Sequence, residues 1–276
     1  MTTPKVNTIK RAGARFYVEP DSGEKVPGVT SILSMLPKDF LKWWAAKMVA
    51  EEAVDNLDAV RAIVERENGD GREAAIDMLK RAPARFTRRA SEIGTAAHDV
   101  FERMSGGEPM NYVADELRPY RDHFADFLDT CQPEYLHMEE TVWSDKYSYA
   151  GSFDAVAKID GQTIWLDNKT TRSGVHEETG LQLAAYRYAD HIIRPDGGRV
   201  PLPKGDGAAV LHVRPEGWKL VPIRADEEVY EMFLTLRQAF EWKDLSKTLI
   251  GKPVAGSGLA STGPRINKPR TRKAAA

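Results

Sequence analysis

Residues 151–171 read GSFDAVAKIDGQTIWLDNKTT, two mostly apolar runs on either side of Asp160-Gly161. Asp-Gly between such runs is the strongest short signal for a two-residue β-hairpin turn, which needs positive φ at both positions. Counting outward from the turn, Ile159 faces Gln162 and Asp154 faces Asp167. Side chains alternate between faces, so Lys169 shares a face with Asp167. The other face holds Ala155, Ala157, Ile159, Ile164 and Leu166, an ordinary core set. Directly opposed Cβ atoms lie about 5 Å apart, and like charges there are destabilising. Two carboxylates so placed need a cation, or one stays protonated. Carboxylate oxygens suit hard divalent ions such as Mg2+ and Mn2+. A neighbouring lysine suits the orientation of a water nucleophile, or charge developing on a phosphate. A surface hairpin whose acids pair with Lys169 and Lys158 has the same pattern. One extra residue in either strand would turn the two aspartates to opposite faces.

Around this hairpin the texture of the chain changes. Before it, apolar residues recur at helical spacing: the start VTSILSML with Thr30 or Ser31 as a cap, a helix after Pro37, and helices over 58–67, 71–81, 92–104 and 115–130. Residues 7–19 read as one short strand and EPDSGEKVPG as a loop. From 136 onward come strands at 136–144, 149–159 and 162–170, a helix over 177–193, two strands in GAAVLHVRPEGWKLVPI, and a helix over 226–245. A helical half followed by strands and helices implies a mixed α/β fold, with residues 1–250 as one domain. Within it, 1–135 is a mainly helical elaboration and 136–250 an αβ core.

Further side chains have chemistry to offer. His98 lies at the edge of the apolar stripe Ile93, Ala97, Val100, Phe101 and Met104, as a packed or capping group or as a ligand. Gln182 and Tyr186 stand four apart and share a helix face, for core packing or for a site. Arg172 and His176 suit a phosphate contact or a solvated loop. Core packing is the expected role of Trp43 and Trp44, with base stacking as the alternative.

The ordered set GTAAHDVFE, HMEETVW, GSFDAVAKIDG, WLDNKTT and GLQLAAYRYA resembles the PD-(D/E)XK nucleases, in particular their RecB-like branch with its CRISPR-associated and phage exonucleases. The likeness runs over roughly residues 16–245 and includes the start VPGVTSILSMLPKDFLKWWAAK. It implies a restriction-endonuclease-like core, a mixed central sheet flanked by helices. It implies a metal-dependent DNA exonuclease acting in recombination, replication or repair, beside a recombination or replication partner. His98, Asp154, Asp167 and the Asn168 carbonyl would bind Mg2+ or Mn2+, and Lys169 would position the attacking water. Gln182 and Tyr186 would organise the lysine and the DNA. Glu140 is a further acid near the metal in this reading, with Glu139 its equal by register. A structure-specific endonuclease, or a DNA-end-binding module without catalysis, is the alternative on the same fold.

Composition bounds these readings. The chain has 276 residues, 42% hydrophobic, enough for a substantial core. Cys131 is the only cysteine, which rules out the four-cysteine iron–sulfur cluster of many CRISPR-associated relatives and any disulfide within the chain. It is expected to be a packed small residue. No apolar run reaches membrane-spanning length and no secretory signal is evident, so a cytoplasmic protein without membrane contact is expected. No Walker A motif, serine elbow or dinucleotide fingerprint occurs. Net charge is −2. Lys252, Arg265, Lys268, Arg270, Arg272 and Lys273 gather in the acid-free segment 251–276. Such a tail suits a phosphate backbone or a solubilising, disordered end.

Overall fold

The computed structural model describes residues 5–66 and 69–251. The basic tail expected to be disordered therefore lies outside the described residues, apart from Gly251. The chain divides into a compact unit over Met1–Phe240 and a second over Glu241–Ala276.

The chain begins with β1 (Thr8–Arg11), β2 (Ala14–Val18) and β3 (Lys25–Pro27), a small antiparallel sheet in that order. One strand was expected over 7–19; Ala12 and Gly13 take φ of 49° and 77° and fold it into a hairpin. Helices follow: α1 (Val29–Leu33), α2 (Phe40–Asp55), α3 (Leu57–Val64), α4 (Gly71–Lys80), α5 (Ala82–Ser105) and α6 (Arg118–Cys131). Then come β4 (Glu134–Ser144), β5 (Tyr149–Ile159) and β6 (Gln162–Lys169), α7 (Glu178–Arg187), β7 (His191–Ile193), β8 (Arg199–Val200), β9 (Gly207–Arg214), β10 (Gly217–Pro222), α8 (Glu227–Phe240) and α9 (Trp242–Leu245). The helix expected over 177–193 stops at Arg187. Residues 191–193 instead pair with β4, because His-Ile-Ile is β-prone and buried there.

The seven-stranded mixed sheet has the order β10-β9-β6-β5-β4-β7-β8. All its neighbours are antiparallel except β6 and β9. Helices cover both faces. On one, α1, α7 and α8 bring Ile32, Leu183, Tyr186 and Phe233 onto Val142, Phe153, Val156 and Trp165. On the other, α5 and α6 bring Val100, Phe101, Phe124 and Phe127 onto Ala155, Ala157, Ile159, Leu166 and Leu211. Apolar residues at both alternating positions of β5 therefore each find a helix layer, which makes β5 a central strand. The mixed α/β expectation holds at this level.

The hairpin register is as counted. Asp160 and Gly161 have φ of 49° and 77°, the two left-handed positions of the tight turn. Pairs run from Ile159↔Gln162 to Ala155↔Leu166. The regular ladder ends there, one rung short of Asp154 and Asp167.

The expectation for Trp43 is overturned. Helix α2 turns Trp44, Ala45, Met48 and Val49 inward and buries none of them fully, while Trp43 is 81% exposed. One residue along a helix is about 100° around it, so adjacent tryptophans cannot both face the core. Cys131 is half-buried and burial raises its thiol pKa, in keeping with a packing role. Among the described residues no helix is long and apolar enough to cross a membrane.

Candidate metal centre

The site forms where the β5–β6 ladder opens. Phe153 and Ala155 would share a face in a regular strand, yet Phe153 packs with Trp165 and Tyr186 on one side and Ala155 with the α5–α6 layer on the other. The alternation breaks at Asp154. Its Oδ2 accepts a hydrogen bond from the Asn168 backbone N–H at 2.6 Å, so a side chain takes the place of a ladder partner. Strand β4 breaks its pattern opposite. Met138 pairs with Ala155 and Glu140 with Phe153, while Glu139 between them takes φ 52° and carries its side chain into the interior. A left-handed glutamate costs about 1–2 kcal/mol, and such strain collects at functional sites.

Helix α5 supplies the third group. It passes close over the end of β6: a Cβ on Gly94 would lie 3.2 Å from Thr170 Oγ1. One turn on, His98 is buried against Phe101, its Nδ1 3.8 Å from Asp154 Oδ2. His98, Glu139 and Asp154 each offer a ligand atom, and the three atoms lie within 4.8 Å of one another. His98 Nδ1 is buried and has no hydrogen-bond partner among the described residues. An aromatic nitrogen left without a partner beside two buried carboxylates is costly unless something else fills the place.

Asp167 stands beside this cluster. Its Oδ2 is 2.6 Å from Lys169 Nζ, and its Oδ1 accepts from Gln182 Nε2 at 2.8 Å. Gln182 also donates to the Tyr186 hydroxyl at 3.2 Å, so α7 fixes Asp167 through one helix face. The Asn168 backbone lies against both halves of the site: its N–H reaches Asp154, and it raises the proton affinity of His98. Behind them, the Tyr17 hydroxyl accepts from the Ser152 N–H at 3.0 Å and donates to Ser152 Oγ at 3.2 Å. The small sheet thus braces β5 two residues before Asp154.

Electrostatics follow from burial. Desolvation pushes the Asp154 carboxyl above the usual carboxylate range, although Lys169 and the Asn168 N–H pull it down. Asp167 is raised for the same reason, opposed by Lys169 and helped by Asp154. Burial alone would lower Lys169, but the Asp167 and Asp154 carboxylates outweigh it and keep the ammonium protonated. Burial drives His98 down to about 4, with Lys169 adding to the effect, so its imidazole is neutral near pH 7. A neutral imidazole with ionisable carboxylates is the donor set a divalent ion requires.

The structure places Asp167, Asn168, Lys169, Gln182 and Tyr186 beside His98 and Asp154, but Asp167, expected as a ligand with them, lies outside the His98–Glu139–Asp154 cluster and is held by Lys169 and Gln182. Between the two equal acids it selects Glu139. Glu140, the further acid expected near the metal, turns away: its carboxylate lies 2.6 Å from His137 Nδ1 and 3.9 Å from Arg194 Nε. The left-handed residue at 139 interrupts the alternation of β4 here, so Glu139 is buried while Glu140 faces His137 and Arg194. Arg172 stays exposed and His176 only half-buried, on the loop after β6, with His176 Nε2 2.8 Å from Ser173 Oγ. The chain matches no protein-family model, and no curated protein matches it.

Proposed function

We propose that the protein is a metal-dependent deoxyribonuclease of the restriction-endonuclease-like kind, acting as an exonuclease on DNA. One observation carries the reading: a buried His98–Glu139–Asp154 cluster adjoins the Asp167–Lys169 pair, at the point where a central hairpin opens. His98, Glu139 and Asp154 would hold Mg2+ or Mn2+, with Asp167 and the Asn168 carbonyl as adjoining donors. The unpartnered buried His98 Nδ1 fits that role, since it needs an electrophile. A bound ion would acidify water and offset charge at a phosphate.

The chain's own groups do the rest. Lys169, held protonated by Asp167, offers N–H donors to the attacking water and to a non-bridging phosphate oxygen. Asp167, pinned by Gln182, keeps that ammonium in place. Tyr186 and Phe153 are buried rings packed beside the site, and a low-dielectric wall of this kind strengthens each of these contacts.

Restriction to DNA ends, and a role in recombination, replication or repair, rest on the sequence resemblance. The test is incubation of linear and covalently closed DNA, single- and double-stranded, with Mg2+, Mn2+ or EDTA. Metal-dependent loss of linear DNA alone supports the exonuclease. Cutting of circles supports an endonuclease on the same site. Binding without loss of any substrate overturns the reading in favour of a DNA-end-binding module.

A further inference from the structure

A groove of about 1020 Å³ runs along the outer side of α5, walled by α2. Its lining includes Trp44, Pro83, Arg88, Glu92, Thr95 and Asp99. Trp44 sits edge-on to Phe86, with ring centroids 6.0 Å apart. Phe86 is 46% exposed. The nuclease reading has no use for this groove. Helix α5 nevertheless joins the two: Thr95 and Asp99 line the groove, and His98 between them points into the metal centre.

We propose that the groove binds single-stranded nucleic acid and leads it to the metal centre. The proposal takes from the nuclease reading only the point of delivery. Three observations select this occupant. The lining is mainly apolar with an aromatic ring in its wall, and unpaired bases present apolar π-faces that a duplex hides inside its stack. Lys80, Arg81, Arg85, Arg88 and Arg89 fall in a stretch, 80–91, that contains no acid. Asp77 pairs with Arg81 and Glu52 with Arg85, so Lys80, Arg88 and Arg89 are the exposed cations offered to a backbone, set against the lining acids Glu92 and Asp99. Among the described residues Arg88 is paired only with Glu92, at 3.8 Å and with both side chains mostly exposed, a contact that a phosphate can replace. From Pro83 to Asp99 the helix rises about 24 Å. That is room for at most about seven nucleotides at stacked spacing.

The test reads binding without cleavage. The full chain in EDTA is titrated against fluorescein-labelled (dT)12 and against a blunt duplex of equal length, by anisotropy. Wild type is expected to prefer the single strand. Trp44→Leu keeps an apolar side chain against Phe86 but removes the indole; it should weaken (dT)12 binding about 10-fold and duplex binding by less than about 2-fold. Arg88→Glu, at an exposed position that does not threaten folding, should weaken (dT)12 binding at least as much, with a shallower salt dependence. Equal affinity for duplex, no binding by wild type, or wild-type binding by Trp44→Leu and Arg88→Glu would each overturn the proposal. If DNA is cleaved with metal while both groove variants bind normally, only the groove fails. If the groove variants lose binding while no metal supports cleavage, the groove stands and the nuclease reading falls.

Discussion

Glu139 and Glu140 are adjacent acids with opposite assignments, so exchanging each for glutamine separates them. Glu139 belongs to the cluster whose ligand atoms lie within 4.8 Å of one another. Glu140 faces His137 and Arg194 instead. Suppose free Mn2+ is held at about 100 times its dissociation constant. Binding to the native state alone then stabilises wild type by about 2.7 kcal/mol. For a domain of this size each kcal/mol moves Tm by about 2–4 °C, so a rise of about 5–11 °C is expected. Outer partners of a metal ligand already cost 10–100-fold in affinity, so loss of a ligating carboxylate should cost about 100-fold or more. At the same Mn2+ concentration Glu139→Gln then keeps about 0.4 kcal/mol, a rise of about 1–2 °C. Glu140→Gln should keep the full rise. Differential scanning fluorimetry with and without Mn2+ reads both. A full Mn2+ response in Glu139→Gln, or its loss in Glu140→Gln, would refute the assignment.

Lys169→Met should lower metal-dependent DNA cleavage by about 100-fold or more while the Mn2+ rise in Tm persists, since it removes a donor to the reacting groups and not a ligand; loss of the metal response instead would make Lys169 structural. Gly151→Ala would set a Cβ 2.5 Å from Tyr186 Cε1 and 2.9 Å from Val29 Cγ2, both in the core. It should cost about 1–3 kcal/mol in urea unfolding. Burial pushes His98 down to about 4 in the folded chain from its ordinary 6.5. A depressed histidine resists protonation, so its contribution is present above pH 6.5 and is lost as pH falls towards 4, about 3 kcal/mol in all. Asp154 and Asp167 are raised and work in the opposite sense. The comparison is therefore metal-free wild type against His98→Gln, whose stability should fall less over that window; parallel curves would contradict the burial of His98.

The hairpin was legible because its turn chemistry is strict. Asp160-Gly161 admits one register, and that register placed Asp154, Asp167 and Lys169 together. Two things were not legible. A left-handed glutamate has no sequence signal, since glutamate has no preference for positive φ, so Glu139 and Glu140 could not be separated by alternation. The opening of the ladder at Asp154 depends on its side chain capturing the Asn168 N–H, a contact set by tertiary packing. It puts Asp154 with His98 and Glu139, and leaves Asp167 to Lys169. Adjacent Trp43 and Trp44 read as core by composition. Only the packing of α2 on α5 shows which of them turns inward.

The most direct measurement of the central claim is release of acid-soluble nucleotide from linear DNA by wild type and by Asp154→Asn, in Mn2+ and in EDTA. The account predicts release by wild type in Mn2+ alone, and none by Asp154→Asn although that variant melts cooperatively. Release in EDTA, or equal release by Asp154→Asn in Mn2+, would contradict it.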